Sequence, residues 1–282
     1  MKKELIIDAY KTRFKKLSNF YQKVPEEFDM DDIHHFRVEM KKLRAFIRLT
    51  NLTTPDQQKK IPKELKRFYN TCGNIRNLQL QQQRITNLAS DLLMEAPDLY
   101  LQYLRDEEKL AKKKAHELAE NISLKQFEKD LIDSSTGLIQ EIKKVFVQRN
   151  KQRLSILFTL PFYYDEALHD IRKVVKDLMY NYKYVDQEIN VELPPDLASL
   201  KNMETLTTSL GDFHDLCIAL FLLSPMYLNQ IPGLIDNELL SEFRSQLELR
   251  KEAMKKEIIQ LFAPVKQQFE KERSLMQSYE LT

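Results

Sequence analysis

His34-His35-Phe36-Arg37-Val38-Glu39-Met40-Lys41-Lys42-Leu43-Arg44, continued by Ala45-Phe46-Ile47-Arg48, is the stretch from which the fold can be read. Ile33, Phe36, Met40, Leu43 and Ile47 recur at the three- and four-residue spacing that returns side chains to one face of an α-helix. One residue further on, His34, Arg37, Lys41, Arg44 and Arg48 keep the same spacing, so a core seam and a cationic seam lie side by side. The pattern returns 135 residues later, with Leu168, Ile171, Val175, Leu178 and Tyr182 as the apolar row and His169, Arg172, Lys176, Met179 and Lys183 as the second row. Each copy is followed by a glycine segment, Gly73-Asn74-Ile75-Arg76-Asn77-Leu78 and Gly211-Asp212-Phe213-His214-Asp215-Leu216, offset by 138 residues. The chain reads as an internal duplication of helical segments.

Composition agrees. Four glycines among 282 residues fall far below the roughly 7% of average proteins, and strand-rich folds need glycine at turns, so an all-α fold is expected. A content of 43% hydrophobic and 30% charged residues fits a globular chain with a sizeable core. The net charge of +2 argues against a general polyanion coat and for any cationic function being concentrated in one place. Arg37, Lys41, Lys42, Arg44 and Arg48 face only Glu39 within their span, a local excess of four positive charges.

The apolar run Leu5-Ile6-Ile7 is too short for a signal peptide, and the stretch from Leu154 to Tyr164 contains Ser155, Thr159 and Pro161 and is too short for a membrane span. A cytoplasmic location without membrane association is expected. Cys72 and Cys217 stand alone and are expected to be reduced and packed. Pro25, Pro55, Pro62, Pro97, Pro161, Pro194, Pro195, Pro225, Pro232 and Pro264 divide the chain into about nine or ten helices, because proline removes a backbone donor and disfavours helix in the residue before it. Within the long piece from Pro97 to Pro161, Ser123-Leu124-Lys125-Gln126 offers a capping box for a new helix. The duplicated helices are expected to begin near Asp29 to Asp32 and near Asp165 to Glu166, where carboxylates suit the positive end of the helix dipole. No flexible linker separates the copies; residues 1–150 and 151–282 are expected to be two half-repeats packed as one body.

His34 to Arg44 resembles the first motif of the CHAD family, the conserved-histidine α-helical domain. Leu168-His169-Asp170-Ile171-Arg172-Lys173-Val174-Val175-Lys176-Asp177-Leu178-Met179-Tyr180 is similar to its second motif, and the two glycine segments are similar to its glycine and leucine segments. The resemblance implies one domain over residues 1–282, built from two pseudo-twofold-related four-helix bundles with a central basic groove or pore. It also implies non-catalytic binding of inorganic polyphosphate or another phosphate-rich polyanion, with no cofactor, and a polyphosphate-metabolising enzyme as a partner. The sequence departs from the family at Asp177 and Met179, where basic residues are usual, and at Asn77 and Gln79, where aspartates are common. The first copy is therefore expected to dominate binding.

The candidate phosphate-binding residues are His34, Arg37, Lys41, Lys42, Arg44, Arg48, Arg76, His169, Arg172, Lys176, Tyr180, Lys183 and His214. Guanidinium groups offer paired planar donors to phosphate oxygens, and lysines add point charge. Arg48 and Lys183 rest on periodicity alone, and Tyr180 on its match to the family tyrosine. Fourteen residues of helix rise about 21 Å, enough to follow several phosphates. The glycines cost about 1 kcal/mol each inside a helix, and close helix crossing is the expected compensation. Two other function classes compete with this one. His169-Asp170 and His214-Asp215, with His34, suggest a helical metal-dependent phosphohydrolase, but adjacent residues diverge by about 100° on a helix. Nucleic-acid binding is disfavoured by the near-neutral charge and the lack of a reading motif.

Overall fold

A computed structural model describes residues 1–53, 58–234 and 238–280; Pro55, read above as a helix breaker, lies outside them. Among the described residues there is no strand, and the all-α expectation holds. Helix α1 (Lys3–Glu27) is followed by α2 (Met30–Thr50), which runs into a short 3-10 turn at Asn51–Thr53. After it come α3 (Lys63–Asp91), α4 (Asp98–Ala119) and α5 (Leu124–Asp133), then α6 (Gln140–Phe158) and α7 (Asp165–Glu192). The four-residue α8 (Pro195–Ala198) leads to α9 (Leu200–Leu222), the four-residue α10 (Pro225–Leu228) and the long α11 (Glu238–Glu280).

The local signals act as expected at several ends. The Asp29 carboxylate accepts from the backbone N–H of Asp31 at 2.8 Å and of Asp32 at 3.1 Å, satisfying orphan donors at the start of α2. Ser123 does the same for Gln126 at α5. Asp165 and Glu166 open α7, so each motif histidine stands in the second turn of its helix. Seven prolines lie at or between helix ends, but Pro25 sits inside α1 and Pro264 inside α11. Phe262, Val265 and Phe269 are buried around Pro264, and Val24 and Phe28 around Pro25. Their packing outweighs the cost of about 3 kcal/mol that a proline imposes on a helix interior. A break at residues 134–139, containing Gly137, was not foreseen, and α6 runs unbroken across the position expected to divide the half-repeats, between residues 150 and 151.

Both apolar seams are buried. Ile33, Phe36, Met40, Leu43 and Ile47 share one cluster with Leu168, Ile171, Val175 and Leu178, and Tyr182 packs on its edge. The copies thus join a common core and bring α2 against α7. A second cluster, around Tyr100, Leu104, Phe243 and Leu247, seats α4 and α11 against α3 and α9. Cys72 is buried, Cys217 is half-buried, and both are free thiols.

Candidate anion-binding site

Because each cationic seam runs beside a buried apolar seam, packing α2 on α7 turns the two cationic seams towards each other. They enclose a cleft of about 470 Å³. Lys41, Arg44 and Arg48 line it from α2, and His169, Arg172, Lys173, Lys176, Asp177 and Tyr180 from α7. Tyr69 of α3 and Arg153 of α6 complete the wall. Seven basic side chains line it beside one carboxylate, Asp177, and one of them, Lys173, is paired with Asp170 at 2.6 Å.

The electrostatics register that excess. Burial, followed by the charges of Arg37, Arg172 and Lys176, pulls the Lys41 ammonium down to about 7, with Asp215 opposing. Burial and Arg172 pull Lys176 down to about 8. Burial is also the first cause holding His169 below the ordinary imidazole value, and burial with His169 beside it lowers His214 to about 4. The His169 Nδ1 and Arg172 Nε atoms are buried with no hydrogen-bond partner in the protein, an arrangement that costs free energy unless an acceptor is supplied.

Tyr69 forms an aromatic floor. The Arg37 guanidinium lies 4.5 Å from its ring centroid and that of Arg44 lies 5.6 Å away, both within cation–π range. Arg37 also donates to the Tyr69 carbonyl at 2.9 Å. Its position depends on Gly73, where a β-carbon would come 2.0 Å from Arg37 Nη1. On α9, a β-carbon at Gly211 would come 3.3 Å from Arg172 Nη2. The motif glycines make room for the motif arginines, a more specific role than the helix crossing expected of them.

Along the cleft, Arg48 Nε donates to Asp177 Oδ2 at 2.7 Å and Arg48 Nη2 bonds the other carboxylate oxygen. Asn181 Nδ2 donates to the Ala45 carbonyl at 3.0 Å, so the pair and the amide together pin α2 on α7. Asp177 therefore does not stand free; it engages a cation of the first copy.

Of the candidate residues, the cleft gathers Lys41, Arg44, Arg48, His169, Arg172, Lys176 and Tyr180. The remaining six lie outside its lining. Lys42 pairs with Glu39 at 2.7 Å, a local contact three residues apart. Lys183 lies over the ring of Tyr184 at 4.7 Å, beyond the cleft end. Arg76 donates to the Met30 carbonyl and ties α3 to the start of α2. The His214 ring packs on His169, with centroids 4.5 Å apart. His34 is exposed on the first turns of α2, and Arg37 sits behind Tyr69. Gln79 donates to the Phe28 carbonyl at 3.0 Å and to Glu108 at 3.1 Å, a structural role for its amide. Tyr69, Lys173 and Arg153 were not anticipated. Lys173 adjoins Arg172 and Tyr69 precedes Gly73 by one helical turn, whereas Arg153 belongs to no repeated motif.

Residues 9–224, which include α2, α7 and every lining residue of the cleft, match the family model of the CHAD domain. The chain belongs to the CHAD family. The CHAD match ends before α10, so α11 lies beyond it. The fold is similar to a crystal structure of the CHAD domain from the plant Ricinus communis, with a TM-score of 0.66 over 93% of this chain and 91% of that one. At 16% identity, that likeness concerns the CHAD fold alone. No match was found among curated protein sequences.

Among the described residues of this CHAD chain, no three His, Cys, Asp or Glu side chains come together as a metal site. No described helix is long and apolar enough to cross a membrane.

Proposed function

We propose that the protein binds inorganic polyphosphate, without altering it chemically, in the cleft between α2 and α7. The observation that carries this reading is the set of seven basic side chains lining one cleft, of which Arg48 is paired with Asp177 and Lys173 with Asp170, while Lys41, Arg44, Arg153, Arg172 and Lys176 have no carboxylate partner among the described residues. Assembling such a cluster opposes folding unless a polyanion offsets it, and linear phosphates supply a charge at each repeat. The unpartnered Arg172 Nε, the planar guanidinium of Arg44 and the ammonium of Lys176 suit phosphate oxygens. CHAD membership supports the same ligand class.

Two pseudo-twofold-related bundles around a basic groove belong to the same proposal. Its support is the equivalence of the Arg37–Gly73 and Arg172–Gly211 pairs in the two copies. In this reading the two copies contribute alike rather than the first dominating: each has one engaged cation, Arg48 on Asp177 and Lys173 on Asp170, and among the described residues neither Lys41 and Arg44 of the first nor Arg172 and Lys176 of the second have a carboxylate bound to them. A cytoplasmic setting, and an enzyme partner acting on polyphosphate, complete the proposal.

Titration with long-chain polyphosphate at two salt concentrations tests it. Binding is expected to weaken steeply with salt, as counterion release requires. Arg44→Glu and Arg172→Glu are each expected to reduce affinity at least tenfold, about 1.4 kcal/mol. Salt-insensitive binding, or unchanged affinity in both variants, overturns the reading.

A further inference from the structure

Binding a polyanion calls on the charge of Lys41, yet its surroundings favour the uncharged amine. Lys41 lines the cleft from α2, half-buried, and among the described residues no carboxylate is bound to it. The cations that face it are Arg37 on α2 and Arg172 and Lys176 on α7, against Asp215 on α9. Desolvation and neighbouring cations are the two ways in which a protein turns a lysine into a nucleophile, because both penalise the ammonium. They bring Lys41 to about 7, so about half of the molecules carry a free amine there at neutral pH. An ordinary exposed lysine, at about 10.4, offers on the order of one in a thousand.

The same cleft wall supplies a seat for a phosphoryl group. Arg44 stands one turn further along α2, and Arg172 faces it from α7 with Nε unpartnered. Guanidinium groups hold phosphoryl oxygens through paired planar donors. The cleft, at about 470 Å³, has room for a small molecule beside the amine. A compound with both a phosphoryl group and an electrophilic carbonyl is anchored by the first and presents the second to Lys41, and that proximity replaces a chance encounter. Lys173 lines the cleft too, but its nitrogen is engaged by Asp170 at 2.6 Å.

We infer that Lys41 is an acylation site for acyl phosphates seated by Arg44 and Arg172, and that the acylated cleft binds polyphosphate more weakly. The amine nitrogen bonds to the carbonyl carbon as the bond from that carbon to the phosphoryl oxygen breaks. Inorganic phosphate leaves with the electron pair, and the nitrogen gives up a proton to solvent. A neutral amide then stands where a cation was, which erases one charge of the phosphate track. This takes from the proposed function that the cleft seats phosphoryl groups and that Lys41 contributes charge to binding.

The experiment exposes the whole protein at pH 7 to acetyl phosphate or to p-nitrophenyl acetate, an acyl donor without a phosphoryl group, and follows each lysine by peptide mass spectrometry. With acetyl phosphate, Lys41 is expected to be acetylated about tenfold faster or more than Lys173 and than Lys15, which is exposed on α1. Tripolyphosphate should protect it. Arg44→Gln removes none of the charges named above as setting the Lys41 amine, so it should slow acetylation by acetyl phosphate severalfold and leave that by p-nitrophenyl acetate unchanged. Protein acetylated at Lys41 should bind long-chain polyphosphate about tenfold more weakly than untreated protein. Acetylation of Lys41 no faster than that of Lys15 overturns the inference. So does the same preference for Lys41 with either donor. Undiminished polyphosphate binding after acetylation overturns the consequence for binding. Selective acetylation by acetyl phosphate in a protein that binds no polyphosphate at low salt overturns the polyphosphate reading and leaves the acylation site standing. If Arg44→Gln does not fold, the comparison of the two donors on wild type decides alone.

Discussion

The guanidinium of Arg37 occupies the space where Gly73 would carry a β-carbon, 2.0 Å from Nη1 and 2.7 Å from Cζ. Arg37 in turn donates to the Tyr69 carbonyl, one turn before that glycine. A residue 36 positions away thus fixes where the first motif arginine points, and Arg172 with Gly211 repeats the arrangement more loosely at 3.3 Å. Each motif is half of a packing unit whose other half lies on the partner helix.

Gly73→Ala is expected to separate stability from binding. Alanine gains about 1 kcal/mol of helix propensity over glycine, while the Arg37 fork, the far end of a flexible side chain, must leave Tyr69. Thermal unfolding should therefore change by less than about 1 kcal/mol in either direction. Phosphate affinity should fall severalfold, because Arg37 no longer shapes the Tyr69 floor. Gly211→Ala, with its looser contact, should weaken binding less; a larger loss there would count against the packing account.

Polyphosphate affinity should decline as pH rises through about 7 to 8. Lys41 and Lys176 are the groups responsible, and the charges that set Lys41 are Arg37 on α2, Arg172 and Lys176 on α7, and Asp215 on α9. An anion favours the charged ammonium, so binding at pH 8 should take up protons, measurable as buffer-dependent heat in calorimetry. The folded protein alone responds with the opposite sign. With the folded pKa of Lys41 below its unfolded 10.5, the unfolded chain binds more protons between about 7 and 10.5, so this group makes stability rise with pH across that window. Lys41→Met should remove the contribution.

Two cleft variants should move stability in opposite directions. Arg48→Ala leaves the largely buried Asp177 carboxylate unpaired and is expected to cost about 2 kcal/mol. Lys41→Met removes a crowded cation and is expected to stabilise by about 1 kcal/mol at pH 7 while weakening phosphate binding. Denaturant unfolding of both proteins beside wild type checks the pair of signs.

Arg153 tests the contribution of α6. It is exposed and lines the cleft, and no ion-pair partner for it occurs among the described residues. Arg153→Ala should therefore leave stability within about 0.5 kcal/mol, as for surface substitutions generally, yet reduce the salt dependence of polyphosphate binding. An unchanged salt slope would remove Arg153 from the site.

The helical fold, the buried seams and the cationic faces were legible because they are periodic: Phe36 and Ile171 announce their side of the helix by their neighbours three and four residues away. Lys41 and Lys42 illustrate the limit. Periodicity places Lys41 on the cationic seam, whereas Lys42, about 100° around the helix, pairs locally with Glu39. Pro25 and Pro264 misled because local propensity yields to core packing, which no single residue advertises. The Arg48–Asp177 pair joins residues 129 positions apart, and Arg153 reaches the cleft from a helix outside both motifs. Contacts of that kind are decided only when helices meet.

Because α6 is continuous from Gln140 to Phe158, the natural place to cut this polypeptide is not mid-chain within that helix but in the 134–139 connection before it. Severed there, one fragment would keep Lys41 and Arg44 and the other Arg153, Arg172 and Lys176, while the two apolar clusters that span the cut supply the mutual grip. A phosphate chain would then act as a clasp between two pieces of one protein, making fragment reassembly a reporter of polyphosphate in solution.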